Sequence, residues 1–209
     1  MLITPQQFFG FLAAATLITA SPGPDNLMVL GVGMSRGRRQ GMAFGLGCAL
    51  GCLSHTLLAT LGVGALIAAS PLAFSALKVC GGLYLVWLGI SALRSRGGAR
   101  VDSAVRPDES LGRLFVKGLF ANSINPKVVL FFLSFLPQFV VAAHGHAGWQ
   151  TAQLGLVFTL QACLLFGLLG YFSGAVGKWI NVNPRAGLWL DRAAGTIFVG
   201  LGLRLIIAR

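Results

Sequence analysis

The sequence predicts an all-α, polytopic membrane protein with about six transmembrane helices, built as two inverted three-helix repeats. Of its 209 residues 56% are hydrophobic and only 10% charged, whereas a soluble domain carries roughly 25% charged residues. Apolar runs long enough to cross a bilayer, about 20 residues each, recur along the whole chain. Both halves open with a proline-broken span, and three spans per half make the second copy enter the membrane from the opposite side.

The first span, residues 5–33, holds the interruption "SPGPDN". Pro22 and Pro24 remove backbone donors and Gly23 has no side chain to favour a helix, so the helix breaks there. A broken backbone at membrane depth is tolerated only where protein or a water-filled cavity satisfies its polar groups. Pro24 suits the first turn of a new half-helix, whose positive end can receive an anionic group. Asp25 follows, and an ionised carboxylate near the bilayer centre costs roughly 2.5–3.5 kcal/mol. Either Asp25 complements its own helix dipole or pairs with Lys127, or it binds a substrate ammonium and exchanges a proton as the site alternates. Asn26 belongs to the same candidate site. The apolar pattern continues past Pro24 and no Lys or Arg precedes it, which reads as a retained span rather than a secretory signal.

The second span, residues 41–69, carries Gly41, Gly45, Gly47 and Gly51 at small-xxx-small spacing, a close-packing signature. His55 lies halfway along it and serves either as a proton relay or as a hydrogen-bonding link between helices. Cys48, Cys52 and His55 share a helical face, the basis of a rival reading as a soft-metal or other small-ion exporter. The third span, residues 72–94, contains Gly81, Gly82 and Gly89, and the sixth, residues 185–207, contains Gly195, Gly200 and Gly202. Lys78, Gly81 and Tyr84 in the third are echoed by Arg192, Gly195 and Phe198 in the sixth. Asp191 and Arg192 are expected to pair locally.

Between the halves (about 1–95 and 111–209) runs a linker, residues 96–110, expected to be a flexible cytoplasmic connector without chemistry. The fourth span, residues 112–139, breaks at "NSINPKV": Asn122, Asn125, Pro126 and Lys127 bring amides and a fixed cation to a depth that mirrors Asp25. A zwitterion needs one negative and one positive subsite, and this pair of breaks supplies both. The fifth span covers residues 150–176. His144 and His146 fall in the outside linker before it and read as solvated.

A formal charge of +11 raises nucleic acid as a partner, but placement argues otherwise. Arg36, Arg38 and Arg39, then Arg94, Arg96, Arg100, Arg106, Arg113 and Lys117, then Lys178, Arg185 and Arg192 occupy alternate loops. This is the positive-inside pattern, and it puts both termini outside the cytoplasm. The four cysteines (Cys48, Cys52, Cys80, Cys163) lie within spans, as packing residues rather than a disulfide framework.

The motifs "SPGPDNLMV", "SRGRRQG", "HTLLATLGVGALIAASP", "LKVCGGLYLVWLGISALR" and "NPKVVLFFLSFLPQFV" together resemble the LysE/RhtB family of amino-acid exporters. The resemblance implies a six-span bacterial inner-membrane protein, a single transporter domain over residues 1–209. It would export amino acids or close derivatives of the homoserine/threonine, leucine or lysine type, driven by the proton gradient. No HExxH, GxSxG or GK[ST] motif points to an enzyme or a nucleotide-driven pump, and no cofactor is expected. The expected partners are an amino acid, protons and the lipid bilayer, with homo-oligomerisation left open.

Overall fold

The computed structural model describes residues 3–95, 109–141 and 144–207; most of the expected connector, residues 96–108, lies outside the described residues. Within them the chain is all helical. Thr4 caps α1 (Pro5–Ala20) reciprocally with Gln7: the Thr4 hydroxyl accepts from the Gln7 amide at 3.2 Å, and the Gln7 side chain accepts from the Thr4 amide at 2.7 Å. The chain breaks at Ser21–Gly23 and resumes at Pro24 as α2 (Pro24–Arg36). Gly37 alone separates α2 from α3 (Arg38–Ala69); its φ of 105° lies in the region that disfavours any side chain. The single residue Ser70 then leads into α4 (Pro71–Leu93).

The second half starts with α5 (Leu111–Ser123), capped by Ser110. Its continuation, α6 (Pro126–Leu130), runs on through a π turn at Phe131–Phe135 and a tight turn at Leu136–Phe139, and leaves α5 at 50°. Then follow α7 (Ala147–Tyr171), α8 (Ser173–Val182) and α9 (Pro184–Ile207). The fifth expected span, residues 150–176, thus ends early: the backbone turns at Phe172, and α8 is a separate short helix. Among the described residues α3, α4 and α7 are long and apolar enough to cross a membrane, and α5 with α6 makes a fourth if counted as one bent span. α1, with 16 residues, spans only about 24 Å, and α9 carries Arg185, Asp191, Arg192 and Arg204.

α3 packs against α7 and α5, and α4 against α9. Glycines set these distances. A Cβ on Gly89 would lie 2.7 Å from the Gly195 carbonyl oxygen, and one on Gly195 the same distance from that of Gly89; Gly82 and Gly202 oppose each other likewise, at 2.9 and 2.6 Å. The two pairs are seven residues apart on each antiparallel helix, two turns, so they form one seam. Gly41, Gly45, Gly47 and Gly51 similarly admit α2, α7 and α5 to the α3 backbone. Gly200 differs, facing open space. Leu57, Leu61, Leu160 and Leu164 point outward, as a lipid-facing surface requires.

Candidate functional site

Both proline breaks turn inward and meet. Gly23, Asp25 and Asn26 from the first, and Asn122, Asn125 and Lys127 from the second, line one small space, with Ile18, Thr19, Cys52 and a rim of Phe131, Phe158 and Phe166. Pro22 lies on a neighbouring cleft instead, and Pro126 acts as the first residue of α6. Each resumed helix begins with proline and places its charged residue next, Asp25 in one and Lys127 in the other. Both are buried, 4% and 7% exposed. The remaining space is about 20 Å3, room for roughly one water molecule. A space of that size does not admit an amino acid.

The freed backbone carbonyls are matched by the site's own side chains. Asn26 Nδ2 donates to the Thr19 carbonyl at 2.9 Å, and Lys127 Nζ to the Ser21 carbonyl at 3.0 Å. Asn125 Oδ1 accepts from the Lys127 amide at 3.0 Å and so caps α6. Asp25 and Lys127 share the space without a direct ion pair. Asp25 Oδ2 accepts from Asn122 Nδ2 at 2.7 Å, while the ammonium lies 5.0 Å from the centre of the Phe198 ring, within cation–π range.

Asn122, fully buried, is the hub. Its side chain donates to Asp25 and accepts from Cys52 Sγ at 3.4 Å; its carbonyl oxygen accepts from His55 Nε2 at 3.1 Å. Because a carbonyl only accepts, the His55 proton sits on Nε2, leaving Nδ1 buried and unpartnered. His55 is therefore behind the cavity, one residue removed from Asp25. The sulfur and the ring both serve hydrogen bonds to Asn122, and among the described residues no three His, Cys, Asp or Glu side chains are grouped to hold a metal. The cysteines are unpaired.

Two polar clusters lie outside the cavity lining. On the α1 side, Gln7 Nε2 donates to the Phe139 carbonyl at 2.7 Å and to Gln150 Oε1 at 3.1 Å, below a cluster of Phe11, Phe131, Phe135 and Phe139. At the basic end, Glu109 binds Arg36 and Lys117, and Arg113 at 3.1 Å. Hydrogen bonds first from Lys117 and then from Arg36 hold its carboxyl down to about 2 from an ordinary 4.5. Asp191 accepts from Ser95 Oγ at 2.6 Å, and Arg192 lies over the Trp189 ring, so the expected Asp191–Arg192 pair does not form.

Ser21, Thr19, Cys52, Phe198 and Glu109 were not singled out by sequence as site residues. Two of them had a signal: Phe198, by its place in the echo between the third and sixth spans, and Cys52, by sharing a helical face with Cys48 and His55.

The family described as LysE type translocator matches residues 16–209. The chain belongs to this family. LysE-type relatives cover nearly its whole length. A homoserine/homoserine lactone efflux protein of Salmonella typhimurium is 30% identical over 99% of both chains. A threonine efflux protein of Escherichia coli is 33% identical over 90% of this chain and 92% of its own. An uncharacterized membrane protein of Vibrio cholerae is 31% identical over 97% of both. No solved structure is a significant match. Membership in the LysE translocators, with the apolar helices described above, makes the chain a multi-pass inner-membrane protein of a transporting rather than a catalytic family.

Proposed function

We propose that the protein exports small amino acids or close derivatives from the cytoplasm by proton-coupled antiport. The observation that carries this reading is the joining of two proline-started half-helices at one buried cavity, with a carboxylate on one and an ammonium on the other. Efflux relatives named for homoserine, homoserine lactone and threonine support cargoes of that kind.

In this mechanism a zwitterion replaces the internal hydrogen bonds one for one. Its ammonium takes the place of Asn122 Nδ2 on Asp25, and its carboxylate takes the place of the Ser21 carbonyl at Lys127 Nζ. The near-filled cavity corresponds to the closed intermediate of an alternating cycle. Opening toward the cytoplasm separates Glu109 from Arg36 at the basic end. Opening outward releases Gln7 from Phe139 and Gln150 and parts the phenylalanines. After the cargo leaves, Asp25 takes up a proton from outside and carries it inward, with His55 coupled through Asn122.

Several features support an inverted repeat. Each half begins with a hydroxyl-capped helix (Thr4, Ser110) and stops at a break, then restarts at proline with its charge next. α3 and α7, and α4 and α9, are counterparts under such a repeat and pack on each other.

The test is release of amino acids from cells loaded with dipeptides, compared with empty-vector cells. The protein accelerates release of homoserine or threonine, and Asp25→Asn abolishes it or removes its pH dependence. Release by Asp25→Asn at the wild-type rate with unchanged pH dependence refutes the proton role. No acceleration of any amino acid refutes export.

A further inference from the structure

The outer face of α5 joins a charged end to an apolar length. Arg113, Val116, Lys117, Phe120 and the capping residue Ile124 fall on one side of the helix by their spacing, and all five are exposed. The opposite side, with Leu114, Gly118 and Asn122, is buried, and Gly118 lies against the α3 backbone at Phe44. From Arg113 to Ile124 the outer face runs about 16 Å at 1.5 Å per residue. That is close to half of a hydrocarbon core roughly 30 Å thick, the depth of one leaflet.

The charges at its end do not balance. Glu109 is the carboxylate that Arg36, Arg113 and Lys117 share, so three cations meet one anion and two positive charges remain. Arg36 is enclosed with Glu109, whereas the side chains of Arg113 and Lys117 are 72% and 52% exposed. The surplus therefore sits on the two residues that top the outer face. Among the described residues Arg113 turns only Nε to Glu109, which leaves its two terminal nitrogens for a second anion. The turn beside it is bare, since a Cβ on Gly112 would meet no atom within 4 Å. An anion can reach both cations without displacing protein.

An apolar strip one leaflet deep that ends in surplus cations has the polarity of a single anionic phospholipid. We propose that the outer face of α5 is a seat for one such lipid, of the phosphatidylglycerol type, with its phosphodiester between Arg113 and Lys117 and an acyl chain along Val116, Phe120 and Ile124. A zwitterionic phospholipid carries its own ammonium beside the phosphate and leaves the surplus charge uncompensated. The lipid does not enter the central cavity, so the proposal is independent of the export reading.

The experiment uses the purified full chain in neutral detergent micelles. Phosphatidylglycerol and phosphatidylcholine of identical acyl chains are the probes, and native mass spectrometry reads what is retained. One phosphatidylglycerol is held about tenfold more strongly than phosphatidylcholine, and it raises the melting temperature. Arg113→Gln/Lys117→Gln loses both the preference and the shift, while Lys178→Gln/Arg185→Gln, which removes the same charge from another exposed pair, keeps them. Phe120→Ala leaves every charge in place and weakens retention several-fold. Equal retention of the two lipids by the wild type overturns the proposal. So does an equal loss of preference in Lys178→Gln/Arg185→Gln, which shows a diffuse field rather than a seat. Displacement by inorganic phosphate, with Phe120→Ala without effect, shows an anion site that holds no acyl chain and overturns it as well.

Discussion

Lys127 owes its position to the missing side chain at Gly23. The backbone there is extended, with φ −169°, which any residue adopts; the glycine is needed for room, since a Cβ would sit 3.0 Å from Lys127 Nζ. Gly23→Ala is therefore expected to push the ammonium off the Ser21 carbonyl and reduce efflux while the melting temperature changes little. Lys127→Arg does not rescue a site this small, because a planar guanidinium cannot occupy the position of a compact ammonium. Asn122→Leu strands Asp25 without its donor, and the loss of a hydrogen bond to a buried charged group costs about 1.5–3 kcal/mol, read from chemical denaturation. Asp25, Asn122, Asn125 and Lys127 were legible in the sequence because charge and proline are rare in apolar runs. Thr19 was not, being an ordinary small residue in an apolar helix; Cys52 stood out only as a possible metal ligand beside Cys48 and His55, not as a hydrogen-bond partner of Asn122, and Ser21 contributes only a backbone carbonyl, on which residue identity is silent.

At the scale of helices, the seam between α4 and α9 has almost no slack. Gly89→Val forces a side chain into the Gly195 backbone and is expected to destabilise the protein by about 1–3 kcal/mol, whereas Gly200→Ala, facing open space, leaves stability equal or slightly higher. Thermal melts of the two purified variants separate these outcomes. The tie between α2 and α5 has a pH signature. Glu109 has a lowered pKa, so its contribution is complete above about 4.5 and disappears as the pH falls toward about 2. The stability gap between wild type and Glu109→Gln is thus expected to be constant at neutral and mildly acidic pH and to close only in strong acid. Sequence gave the proline breaks and the glycine seam because both have a local steric cause. It missed the Glu109 cluster, which depends on three cations from two helices arriving at one carboxylate, and it ran the fifth span through the turn at Phe172, where hydropathy does not change.

For the molecule as a whole, the all-helical architecture was legible from composition and run length, since a bilayer imposes both. The small volume of the cavity was not, because it depends on how closely the two breaks approach each other in space. α9 adds a constraint on how the protein is made. With four charged residues, each costing about 2.5–3.5 kcal/mol at the centre of a bilayer and less near its edges, α9 falls short of the hydropathy that α3, α4 and α7 reach. It is also the last of these helices to leave the ribosome. Its insertion is then expected to depend on α4, whose glycines accept its backbone and whose end leads into Ser95, the partner of Asp191. Defects in that seam should appear first in biogenesis, as chains with a misplaced C-terminus cleared by membrane proteases, and only afterwards as slow transport.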